Sequence, residues 1–216
     1  MASELKINNK AFIRYKFFNS LFFGIAIGSY VTQYEPLKIV DFPIMGIIFS
    51  LLAIPIAMMY KKIMTINYFY QFSLFVEAIM MIWIIAFLMD PFSYQIALLI
   101  YIARQVTFLF GDFLGRAETI FIKKTEILSS IDVAKQLGAI TGMIISVVFY
   151  KILEHKFFIT ENEPQVFYIH FLLCIIEISI ILLLVKAFQK IKPKIIIFDY
   201  ISTPLYELVN SDSEII

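Results

Sequence analysis

The stretch PQVFYIHFLLCIIEISIILLLV, from Pro164 to Val185, holds 22 residues and a single charge, Glu177. At about 1.5 Å of rise per residue, an α-helix of that length covers the roughly 30 Å hydrocarbon core of a bilayer. A helix on the surface of a water-soluble domain keeps one polar face, and this stretch has none. It is therefore predicted to span a membrane. Four other stretches fit the same template: Phe17 to Tyr34 and Phe42 to Tyr60 carry no charge, Ile63 to Met89 carries only Glu77, and Pro91 to Gly111 carries only Arg104. The shorter run Gln136 to Tyr150 spans if its helix starts near Ser129 and takes Asp132 and Lys135 into its first turns. The expected fold class is all-α, a polytopic membrane protein with six transmembrane helices.

Composition points the same way. The 216 residues are 61% hydrophobic and 16% charged, against about 45–50% apolar and 25% charged in soluble domains. That excess excludes a cytosolic globular protein. The formal net charge of +1 provides no basic surplus for nucleic acid, and the lone Cys174 cannot form an internal disulfide. The only histidines, His155 and His170, lie far from any second ligand at metal-site spacing, and neither a His-Glu-x-x-His nor a nucleotide-binding motif occurs. No catalytic residue, metal or cofactor is expected, and the chain is not expected to be an enzyme.

Lysine and arginine collect in cytoplasmic connections, and one assignment of the spans places 14 of the 18 basic residues on one side and three (Lys38, Lys151 and Lys156) on the other. Both termini are then cytoplasmic, in a plasma membrane of the bacterial inner-membrane type. Residues 1–11 form a cytoplasmic N-terminal segment, 12–188 the transmembrane domain, and 189–216 a cytoplasmic tail that turns acidic at Asp199, Glu207, Asp212 and Glu214.

Glycine allows helix backbones to approach closely in lipid. Gly24 with Gly28, Gly111 with Gly115, and Gly138 with Gly142 form small-xxx-small pairs that mark packing faces on spans one, four and five. Leu21-Phe-Phe-Gly-x-x-x-Gly28 is also similar to Phe108-Leu-Phe-Gly-x-x-x-Gly115, and spans three and six each carry a central glutamate. The pattern is that of a three-plus-three repeat.

Six spans with both ends inside, the basic stretch Met59-Tyr60-Lys61-Lys62-Ile63-Met64-Thr65-Ile66-Asn67 between spans two and three, Arg104-Gln105 followed by Gly111 in span four, and Gln136-Leu-Gly-Ala-Ile-Thr-Gly142 in span five carry a family resemblance. The chain resembles one half of a major facilitator superfamily transporter over roughly residues 11 to 190. The resemblance implies secondary transport of a small solute, and it implies pairing with a second copy or a related six-helix partner in the same orientation, since the family places its substrate site between two such halves. The alternative is a non-transporting membrane subunit or assembly scaffold of the same architecture.

Charge inside a span costs about 2.5–3.5 kcal/mol at the bilayer centre, so it is paired, wetted or functional. Glu77 lies 13 residues before Asp90, Arg104 lies 13 after Pro91 and Glu177 lies 13 after Pro164, which sets all three at one depth. They are the candidate substrate or ion pathway. Arg104 is the anion anchor and one glutamate a proton carrier, or else Arg104 and Glu77 form an ion pair that locks two helices. At the cytoplasmic end Asp112, Arg116, Glu118 and Asp132 either solvate and cap helix ends or form a gate to Lys61 and Lys62.

Overall fold

The computed structural model describes residues 5–190. Lys192, Lys194 and the acidic stretch of the expected tail lie outside the described residues. A short strand β1 (Leu5–Ile7) leads into α1 (Asn9–Ala26), α2 (Tyr30–Tyr34), α3 (Asp41–Met58), α4 (Tyr60–Ile63), α5 (Ile66–Met89), α6 (Tyr94–Phe121), α7 (Thr125–Phe157), α8 (Asn162–Ala187) and a second strand β2 (Phe188–Lys190). Polar residues start several of these helices. Asn8, Thr65 and Ser93 each accept a hydrogen bond from the backbone N–H three residues on, which satisfies a donor the first turn leaves open.

By length and composition, α3, α5, α6, α7 and α8 are apolar enough to cross a membrane. The sixth expected run, Phe17 to Tyr34, is divided. α1 starts earlier, taking in Lys10, Arg14 and Lys16, and stops at Ala26. The hydroxyl and backbone N–H of Ser29 both donate to the Ala26 carbonyl, at 2.7 and 3.0 Å, a local closure that competes with helix continuation, and the neighbouring Gly28 is a poor helix former. The all-α expectation needs one addition: β1 pairs antiparallel with β2, Leu5 opposite Lys190 and Ile7 opposite Phe188. The helical body is thus tied at both ends, and the boundaries expected at residues 11 and 189 fall inside α1 and β2.

Helix directions alternate. Phe17 meets Gly138 and Gly28 meets Tyr150, so α1 and α7 run parallel; Phe12 touches Phe69 and Phe22 touches Trp83, so α1 and α5 do too. In the opposite sense α8 crosses the bundle from His170, against Trp83, to Phe188, against Phe69. α1 packs most extensively along α7, α8 lies against α1 and α5, and α3 rests on α6 with no buried residue of its own.

Three glycines bring α1 and α7 together. A Cβ built on Gly24 would fall on the Ala139 carbonyl oxygen, one on Gly138 on the Phe17 carbonyl oxygen, and one on Gly142 on that of Leu21. Apolar burial does not drive helix association among lipid tails, so this backbone-to-backbone approach carries much of the packing. The other expected faces are looser. Gly28 meets only the Tyr150 ring at 3.8 Å, and nothing lies within 4 Å of a Cβ on Gly111 or Gly115, so α6 has no glycine packing face among the described residues.

Candidate functional site

Where α1, α5, α6 and α7 diverge they leave a cavity of about 310 Å³. Its wall combines Tyr15, Lys16 and Asn19 of α1, Glu77 of α5, Thr107 and Glu118 of α6 and Lys135 of α7 with apolar Phe22, Phe23 and Leu114. Exposed Phe23, Gly111 and Gly115 also line it, so the cavity opens on the face shared by α1 and α6. The two glycines expected to pack helices instead keep this opening clear.

Glu77 is 1% exposed. One of its oxygens, Oε1, accepts hydrogen bonds from the Tyr15 hydroxyl at 2.6 Å and the Asn19 amide at 3.0 Å. Tyr15 and Asn19 stand four residues apart and therefore on one face of α1. Glu177 on α8 is equally buried and its carboxyl lies beside that of Glu77. Glu77 Oε2 and both Glu177 oxygens have no hydrogen-bond donor among the described residues. The two central glutamates flagged by their place in apolar runs thus meet each other.

The expected ion pair between Arg104 and Glu77 is absent. The Arg104 guanidinium sits over the Tyr30 ring, 3.8 Å from its centre, with Phe108 at 5.5 Å and Phe23 at 6.0 Å. Its aromatic neighbours provide cation–π contact, and among the described residues no carboxylate comes within 4.0 Å of it. The tight Asp90–Ser93 turn does join α5 and α6, yet the two helices are rotated so that Glu77 turns toward α1 and α8 while Arg104 turns toward Tyr30. Phe23 is near both groups: it borders the cavity that Glu77 lines and also flanks the guanidinium.

The residues of the expected gate also have other partners than expected. Glu118 pairs with Lys16 at 2.6 Å and Lys135 at 2.7 Å, not with Lys61 or Lys62. Asp132 joins the edge of this group through Lys135 at 3.4 Å. Asp112 and Arg116 do not pair with each other; Arg116 lies over the Tyr60 ring instead, 5.4 Å from its centre. Glu118 of α6 thereby bridges α1 to α7, since Lys16 and Lys135 lie on those two helices.

A second polar contact escapes a reading of charges. His170, fully buried, meets the Val166 carbonyl through Nδ1 and the Gln33 amide nitrogen through Nε2. Since the carbonyl only accepts and the amide nitrogen only donates, the ring is neutral with its proton on Nδ1. This bond ties α2 to α8. Tyr15, Lys16, Asn19 and Gln33 lay outside the expected site because uncharged polar residues, and charges just ahead of an apolar run, leave no mark on a span count. The chain matches no family model, no curated protein and no solved structure.

Proposed function

We propose that this chain is a six-span unit of a secondary transporter for a small anionic solute, with Arg104 as the anion anchor. The observation that carries the proposal is a guanidinium at membrane depth with aromatic neighbours and no carboxylate partner among the described residues. A purely structural arginine at such depth is expected to hold a counter-ion, because an unpaired one is costly. Here that role is open to a ligand carboxylate or similar anion, which guanidinium recognises bidentately. In this reading α1 and α2 together make the sixth span: α1 runs along α7 in the same direction, α2 rests on α6 and α8, and Tyr30 at the start of α2 lies under the Arg104 guanidinium.

Uptake into liposomes of a panel of small mono- and dicarboxylates, driven by a proton gradient, tests the proposal. The wild-type protein should accumulate at least one of them, and Arg104→Gln should weaken its binding roughly 10- to 100-fold, the equivalent of about 1.5–3 kcal/mol for a charged hydrogen bond. Uptake by Arg104→Gln at the wild-type rate and concentration dependence, or no wild-type uptake across the panel, would overturn it and favour the non-transporting subunit.

The same geometry supports pairing. Phe23 and Phe108, which flank Arg104, are 44% and 58% exposed, so the guanidinium and the mouth of the cavity share an open face. Lipid tails are poor cover for such a face. A second copy, related by an axis along the membrane normal and in the same orientation, turns it into an interior, with both chain ends cytoplasmic. In a Cys174→Ala background, Phe108→Cys is expected to crosslink between copies in native membranes, whereas Ile175→Cys on the outer surface of α8 is not. Crosslinking at Ile175 alone would reject this face.

A further inference from the structure

We infer that Glu77 and Glu177 form a proton-binding site, two carboxyl groups joined by one shared proton in the middle of the bundle. The inference does not rest on the transport proposal, since the pair holds its proton whether or not a solute moves.

Both side chains are about 1% exposed. Three of their four oxygens have no donor among the described residues, and the fourth, Glu77 Oε1, is already occupied by Tyr15 and Asn19. Ionised carboxyls only accept hydrogen bonds. Two of them facing each other without a donor would set lone pairs against lone pairs in a medium where an unpaired polar group is costly. One proton turns that contact into a hydrogen bond from one carboxyl to the other.

The neighbouring donors are engaged elsewhere. On α1, Lys16 is held 2.6 Å from Glu118, and Tyr15 and Asn19 supply their donors to the outer oxygen of Glu77. Glu118 on α6 and Lys135 on α7 are bound to each other. On α8, His170 stands two turns before Glu177 and is engaged by Val166 and Gln33. A metal cation fits poorly. Hard cations gather six or more oxygens, whereas no third carboxylate, histidine or cysteine joins this pair among the described residues.

Glu77 lines the open cavity and Glu177 stands behind it, so the proton has a water-side entrance at Glu77. It arrives from water in the cavity and leaves by the same route. Bound, it ties α5 to α8; released, it leaves two anions face to face on those helices and favours their separation. Proton occupancy is thereby linked to the packing of the bundle.

Infrared spectroscopy of the full chain in liposomes tests this. At neutral pH the wild-type protein should show one protonated-carboxyl C=O band per chain that shifts in D₂O. The band should be lost in Glu177→Gln, where an amide N–H replaces the shared proton, and in the double variant Glu77→Gln with Glu177→Gln. Tyr15→Phe removes a donor to Glu77 without adding bulk, and should move the band even if the glutamine variants fold poorly. A wild-type spectrum without the band, a band unchanged in Tyr15→Phe or in the double variant, or loss of the band when sodium replaces potassium at constant pH would each overturn the inference.

Discussion

Gly138→Ala and Gly142→Ala are each expected to destabilise the protein by about 1–3 kcal/mol, the usual range for overpacking a well-packed interior. In most helices the same change stabilises, since alanine is favoured over glycine by about 0.8–1 kcal/mol. The sign reverses here because the added methyl meets backbone: the Phe17 carbonyl oxygen from Gly138 and the Leu21 carbonyl oxygen from Gly142. A flexible side chain would swing aside, but a carbonyl in the middle of α1 moves only with its helix. Gly111→Ala and Gly115→Ala, where a Cβ meets nothing within 4 Å, should be neutral or slightly stabilising. Thermal unfolding in detergent separates the two groups, with about 2–4 °C expected per kcal/mol for a chain of this size. Equal effects at all four positions would mean that α1 and α7 are not in backbone contact.

Glu118→Ala is expected to cost more, about 3–5 kcal/mol, the range for removing one partner of a buried ion pair. Lys16 and Glu118 are 15% and 6% exposed at the side chain, so neither is well placed to recover hydration once the other is gone. The Lys16 contact is an ion pair off the hydrogen-bond axis, while Lys135 donates directly to Oε1 at 2.7 Å. Loss of the carboxylate therefore leaves two ammonium groups facing one another across α1 and α7. Replacing Lys16→Met together with Glu118→Leu should restore most of the lost stability, because well-packed apolar groups replace a buried pair at little cost, while the more exposed Lys135 turns to water. Chemical denaturation of Lys16→Met, Glu118→Leu and the double variant makes the cycle, with Glu118→Ala measured beside it. A Glu118→Ala protein within about 1 kcal/mol of wild type, the range typical of surface pairs, would show that the triad is solvated.

Hydropathy identified α3, α5, α6, α7 and α8 as membrane-length helices, because the cost of placing a charge in hydrocarbon is a property of each residue and leaves long charge-free runs. It also picked out Glu77, Arg104 and Glu177 as exceptions within those runs. It overlooked Tyr15, Asn19 and Lys16, which belong to an α1 that starts well before its apolar stretch. The break at Ile27–Ser29 was equally hidden, since Gly28 and Ser29 are ordinary residues of a membrane span.

Which groups meet was decided by tertiary structure. Equal depth along two neighbouring helices made Arg104 and Glu77 natural partners, but depth is only one coordinate of a side chain. The other is rotation about the helix axis, and that depends on how every helix seats against its neighbours. Close approach at Gly24, Gly138 and Gly142 draws α7 onto α1 and brings Lys135 to Glu118; α8, lodged against α1 and α5, presents Glu177 to Glu77. Arg104 is left over Tyr30, with Phe23 and Phe108 beside it. The local chain determines the cost of burying each charge, whereas the partner that offsets the cost is determined by contacts between residues as far apart as Tyr15 and Glu77, which only the packed bundle brings together.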